Sequence, residues 1–375
     1  MHNISINSAF DGGNIIVHDD TRAGNIRLSI RPDNASHFYQ WFYFRLSGAR
    51  DMPCRIVIEN AKDAAFTGGW ENYQACASYD RETWFRVDGT SYEDGKLIIE
   101  YEPSYDSVYF AYFAPYSMER HADLIAEALQ HDEVSMRVLG HSIDGQTLDC
   151  LEIGNGPKNI WVIARQHPGE TMAEWWAEGF LGRLLDNDDP VARVLRSKAR
   201  FYIVPNINPD GSRRGNLRTN AAGANLNREW GKGNIQDCPE VHYITEAMNA
   251  DKPVMVMDVH GDEALPYNFI AGAEGIPGFT AKQQKDLDDF KAAYMRATPD
   301  FQVTHGYPLG EPGKANMTYC TSFTASAYDC LAMTLEMPFK DNADLPDDVF
   351  GWSPERAVKL GAASLDAMLN VIDDL

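Results

Sequence analysis

"NIWVIARQHPGET", residues 159–171, joins an uncharged apolar run to a cluster of polar residues. The run has the length and composition of a buried strand. It stops abruptly and presents His167 and Glu170, an imidazole and a carboxylate three residues apart, at its mouth. Further along, "FYIVPNINPDG" (201–211), "PVMVMDVHG" (253–261) and "CLAMTLEMPF" (330–339) repeat the pattern, each a buried strand with a polar group at or just past its end. Between them lie stretches with apolar residues at helical spacing. These are "MERHADLIAEALQ" (118–130), "TMAEWWAEGFLGRLL" (171–185), "CPEVHYITEAMN" (238–249), "KQQKDLDDFKAAYMRA" (282–297) and a long C-terminal segment from Ser353, opened by a Ser-Pro helix start. "SMRVLGHSIDGQTLDCLEIGN" (135–155) gives two more strands, turned at Asp144-Gly145. Strands alternating with helices predict an α/β fold over residues 116–375, a mixed, mostly parallel sheet flanked by helices.

Residues 1–115 differ in texture. "NIRLSI", "HFYQWFYFRLSG", "CRIVIEN", "TWFRVDG" and "KLIIEYEP" are short β-branched or aromatic runs separated by turn residues, and "YEDGK" (92–96) is a hairpin signal. This predicts a small antiparallel β-sandwich domain. Its aromatic residues are assigned to core or inter-domain packing rather than to carbohydrate or nucleic-acid binding. At 375 residues the chain exceeds the usual size of a single core, in keeping with two domains.

A formal charge of −22 opposes binding to nucleic acid or an anionic membrane surface, since both need a cationic face. No run reaches the length of a membrane span. The opening "MHNISINSAFDGGN" carries no secretory-signal pattern, and the six scattered cysteines read as buried thiols, so a cytoplasmic location is expected.

Four polar clusters placed alike point to one pocket, because open α/β sheets bind ligands beyond the carboxyl ends of their strands. Taken alone, a histidine at a strand end is more often a hydrogen-bonded structural residue than a ligand, and a glutamate there is a candidate for a structural ion pair. Together, His167, Glu170 and His260 supply the two imidazoles and one carboxylate of a hydrolytic zinc site, one Zn²⁺ per chain. Glu336 is left over as a general base. The segment "NLRTNAAGANLNREW" (216–230) offers Arg218 and Arg228 for carboxylate recognition or oxyanion stabilisation. "NPDG" (208–211) reads as a turn, and Asp262 and Glu263 as loop charges facing water.

"HPGE", "NPDG", "RTNAAGANLNREW", "DVHGDE" and "TLEMPF", in that order, resemble the M14-type zinc carboxypeptidases. The resemblance is closest to the cytosolic carboxypeptidase branch, which carries a β-sandwich before the catalytic domain. It implies that His167, Glu170 and His260 are the zinc ligands, the ligand set known for that family. It also implies that Arg218 polarises the scissile carbonyl, that Asn227 and Arg228 hold the terminal carboxylate, and that Glu336 is the general base acting on a zinc-bound water. Where the family has an Asp that orients a zinc-bound histidine, this chain has Asn225, a neutral partner that leaves the imidazole less basic. The family's mobile tyrosine corresponds to Tyr307, Tyr319 or Tyr328, of which Tyr319 is taken.

The expected substrate is the C-terminus of a peptide or protein. The deglutamylases of the cytosolic branch suggest an acidic last residue, glutamate above all, with Lys314 as its counter-ion and Asn316 beside it. A zinc amidase or N-acyl amino-acid deacylase would use the same residues. A non-catalytic binding module is the alternative from another class. Oligomeric state is not legible.

Overall fold

The computed structural model describes residues 4–375. Ten strands precede the first α-helix: β1 (Ser5–Asn7), β2 (Ile16–Asp19), β3 (Ile26–Ser29), β4 (Tyr43–Ser47), β5 (Cys54–Ile58), β6 (Cys76–Ser78), β7 (Phe85–Arg86), β8 (Thr90–Glu93), β9 (Lys96–Tyr101) and β10 (Ser107–Ala111). They form two five-stranded sheets, ordered β1-β4-β10-β6-β7 and β2-β3-β5-β9-β8. Tyr101 of one sheet meets Phe110 of the other edge to face, with ring centroids 5.9 Å apart. The pairing is antiparallel as expected, apart from β3 with β5, which run parallel. Asp94 and Gly95 turn the β8–β9 hairpin in left-handed conformations (φ 50° and 79°), as an Asp-Gly turn requires. Trp41, Phe42, Tyr43 and Phe44 are all buried, so the aromatic run is core.

The second part alternates as the sequence predicts. Its helices are α1 (Met118–Ala128), α2 (Met172–Leu184), α3 (Pro190–Lys198), α4 (Pro209–Arg214), α5 (Pro239–Ala250), α6 (Ala281–Ala297), α7 (Cys320–Tyr328) and α8 (Pro354–Val371). Its strands are β11 (Val134–His141), β12 (Thr147–Ile153), β13 (Lys158–Ala164), β14 (Ala199–Val204), β15 (Met255–Asp262), β16 (Phe269–Ala271) and β17 (Leu331–Pro338). They make one sheet ordered β11-β12-β14-β13-β15-β17-β16. The four central strands are parallel, and the edge pairings are antiparallel. "NPDG" does more than turn, since Asn208 caps α4 by accepting from the Gly211 N–H.

Both faces of this sheet are covered, which explains strands apolar throughout rather than alternating. Ile160 and Val162 of β13 join the core under α2, α6 and α8, whereas Trp161 and Ile163 join a second core under α5 and α7. Helices α2 and α8 touch backbone to backbone. A Cβ on Gly179 would lie 1.9 Å from the Val358 carbonyl oxygen, and one on Gly361 2.0 Å from that of Trp176. The first core continues into the N-terminal sheets, where Tyr112 stacks on Phe339 at 4.6 Å. All six cysteines are buried and free. Among the described residues, no helix is long and apolar enough to cross a membrane.

Candidate active site

After β14 the chain crosses back over β13 to add β15 on its other side. That reversal opens a crevice at the carboxyl ends of β13 and β15, the place such sheets reserve for ligands. Arg165 ends β13 in a left-handed conformation (φ 62°), which is costly for a residue with a Cβ. It is held there by its guanidinium, which donates to the carbonyls of Pro168 and Tyr116 and to Glu174 of α2 at 2.7–2.9 Å. The turn so fixed delivers His167 and Glu170. His260 lies inside β15, in register with Glu336 of the neighbouring parallel strand β17.

The ligating atoms of His167, Glu170 and His260 all lie within 4.8 Å of one another, and all three residues are buried. Nδ1 of His167 is 2.6 Å from one Glu170 oxygen and Nδ1 of His260 is 2.8 Å from the other, with the two Nδ1 atoms 3.2 Å apart. The opposite nitrogens face acceptors. Nε2 of His167 meets Asn225 Oδ1 at 3.0 Å, and Nε2 of His260 meets Asp258 Oδ2 at 2.9 Å. Those acceptors fix the outer nitrogens as N–H groups. Two Nδ1 lone pairs and a carboxylate then converge on one point, which is the donor set of a divalent cation and fits zinc. Burial, followed by the Arg218 charge, pulls His167 down to about 4. Burial opposes the charged form of His260 too, but in the metal-free chain Asp258 and Glu170 hold it well above the usual range, and a bound cation would displace that proton from Nδ1.

The set opens onto a cavity of about 740 Å³ lined by Arg218, Asn227, Arg228, Tyr319 and Glu336 among others. Glu336 is buried with Oε2 unpartnered, and burial raises its carboxyl well above the ordinary value. Arg218 comes within 3.9 Å of Glu170. Asn227 uses its Oδ1 to accept from the Cys320 N–H at the start of α7. The Arg228 guanidinium lies 4.0 Å over the Tyr319 ring. Of the three tyrosines, Tyr307 reaches furthest toward Glu336, its hydroxyl 3.2 Å from Oε1 and 2.6 Å from Asp262. Tyr319 supports Arg228, and Tyr328 points away to Asn249.

Several placements differ from expectation. Lys314 is exposed and stands outside the cavity lining, whereas Asn316 and Lys291 of α6 are part of it. The ammonium of Lys291 has Glu274 at 3.6 Å. Glu263 does not face water: it is buried, and burial raises its carboxyl well above the usual range. Asp258 sits mid-strand in an apolar run, where the residues beside it do not mark it as functional. Its spacing two residues before His260, on the same face of the strand, is the one sequence signal of its role.

Residues 6–113 match a family model described as the cytosolic carboxypeptidase N-terminal domain, and residues 121–349 match the zinc carboxypeptidase model. An uncharacterized protein of Zymomonas mobilis is 52% identical over 99% of this chain and 97% of its own. Mouse cytosolic carboxypeptidase 1 is 28% identical over 72% of this chain, a match that spans only 26% of that protein's length. A metallo-carboxypeptidase of Pseudomonas aeruginosa, solved in complex with (2-guanidinoethylmercapto)succinic acid, is 43% identical, with a TM-score of 0.96 and 99% of both chains covered.

Proposed function

The chain belongs to the zinc carboxypeptidase family as a metallocarboxypeptidase, and on that premise we propose that it removes the last residue of a peptide with one zinc ion held by His167, Glu170 and His260. The observation that carries this reading is the convergence of two Nδ1 atoms and a carboxylate on one buried point in the cavity wall. Zinc there would supply a Lewis acid and an acidified water.

The chain's own residues would do the rest. Arg228 and the side-chain NH₂ of Asn227 dock the substrate's terminal carboxylate. Arg218 donates to the carbonyl oxygen as charge develops on it. Glu336, buried and unpartnered at Oε2, would be ionised once a bound cation offsets the neighbouring carboxylates, and then takes the proton of the attacking water and passes it to the leaving amine. An acidic last residue, glutamate first, belongs to the reading, with Lys291 as counter-ion in place of Lys314. The names of the cytosolic carboxypeptidase relatives support a cytoplasmic location.

The test is metal content on protein purified without a His tag, beside a panel of peptides and N-acyl amino acids varied at the last residue. About one zinc per chain, lost in His260→Ala, with release of single C-terminal residues, is the expected result. No metal uptake by folded protein would overturn it, and cleavage of N-acyl amino acids alone would make the enzyme a deacylase.

A further inference from the structure

The geometry points to Asp33, in the N-terminal β-domain, as a positioning residue for Arg218, an inference that rests on the carboxypeptidase reading above. Asp33 is 3% exposed. Its Oδ1 accepts from the Leu217 N–H at 2.6 Å, and its Oδ2 accepts from the Arg218 N–H at 2.8 Å, the Thr219 N–H at 2.9 Å and the Thr219 hydroxyl at 3.1 Å. One carboxylate thus collects four donors from three consecutive residues of a segment that belongs to no helix or strand. Next to it, Asn34 donates to the Ala221 carbonyl and accepts from Asn216.

The side chain of Arg218 is supported from the same domain. Its guanidinium carbon lies 4.9 Å from the Phe66 ring and 5.8 Å from that of Phe38. Aromatic faces hold a cation without consuming its N–H groups. No hydrogen bond from that guanidinium is found among the described residues, so its donors stay free for a carbonyl oxygen. Oxyanion stabilisation depends steeply on where the donors sit. The anchor of the Arg218 backbone therefore sets the chemistry from outside the catalytic domain. Asparagine at position 33 would offer an NH₂ group to donors that need an acceptor, leaving buried N–H groups unsatisfied and the segment free to shift.

The experiment is a double-mutant cycle on the zinc-loaded protein, with Asp33→Asn and Arg218→Ala alone and combined. Arg218→Ala is expected to lower kcat about a hundredfold or more. Asp33→Asn should lower it about tenfold with KM little changed, through misplacement alone. On the Arg218→Ala background, Asp33→Asn should change kcat less than about twofold, because no guanidinium remains to be placed. Equal losses on both backgrounds, or no loss on either, overturn the inference. Should Asp33→Asn fail to fold, Asp33→Glu in the same cycle, which keeps the carboxylate but moves it, carries the same expectation and the same overturning outcome. Should wild-type protein cleave no C-terminal bond, the proposed function has failed. The anchor is then read by amide hydrogen exchange at residues 217–219, slow in wild type and fast in Asp33→Asn, and equal rates overturn it.

Discussion

Nε2 of His260 lies 2.9 Å from a carboxylate oxygen of Asp258, both residues buried in β15. The matching nitrogen of His167 meets only the neutral oxygen of Asn225. The charged support of the candidate metal centre therefore sits behind His260, and the departure at position 225 is met by a carboxylate elsewhere. Asp258→Asn should weaken zinc affinity about 10–100-fold. Asn225→Asp should strengthen it. Competition with a chelator of known affinity measures both, and an unchanged affinity in Asp258→Asn would sink the assignment.

Glu336→Gln should lower kcat by about a hundredfold or more while leaving metal content and carboxylate-inhibitor affinity near wild type. The buried, unpartnered Oε2 is the reason, and Gln keeps an oxygen to accept from the Tyr307 hydroxyl that now meets Oε1. A variant that retained wild-type turnover would transfer the role of base elsewhere.

Lys291 lines the cavity with Glu274 at 3.6 Å, and on the proposed acidic specificity it is the counter-ion of the substrate's last side chain. Lys291→Ala should cut the kcat/KM preference for a C-terminal glutamate over leucine about tenfold, whereas Lys314→Ala should leave the ratio unchanged. Competing peptide pairs give the ratio directly, and the opposite order of effects would restore Lys314.

His121 lies 2.5 Å from Glu174 and 3.9 Å from Asp149. Burial works against its charge, but Glu174 and Asp149 outweigh it and push it up to about 9. Raised above the unfolded value near 6.5, this histidine contributes stability in full below that pH and loses it as pH rises through about 9. The contribution is on the order of 3 kcal/mol. Urea midpoints of wild type and His121→Gln should therefore differ most near pH 6 and converge toward pH 10. A gap independent of pH would show the contact is not ionic.

Gly179→Ala and Gly361→Ala should each cost about 1–3 kcal/mol, because the added methyl meets a carbonyl oxygen of the partner helix near 2 Å. Thermal unfolding reads this as a drop of about 1–4 °C in a chain of this length.

The alternation of buried strands with helices, the sandwich texture ahead of it and the set His167, Glu170, His260 and Glu336 were legible in the sequence. Each rests on local chemistry. A strand covered on both faces is apolar throughout, and its first polar residue marks the ligand end. Three helices carry no clear signal in the sequence: α3 just after the polar run "DNDD", α4 behind the turn signal of "NPDG", and α7 in a segment of weak periodicity.

What the sequence alone could not decide is everything that depends on which residues meet across long stretches of chain. Lys314 and Lys291 differ by burial in a cavity, not by composition. Tyr307 and Tyr319 lie in the same stretch, yet only the folded chain brings one hydroxyl to Glu336 and one ring under Arg228. Asp33 reaches Arg218 across 185 positions. Ligand chemistry is written in the residues that carry it, whereas support for those residues comes from whatever packing places beside them.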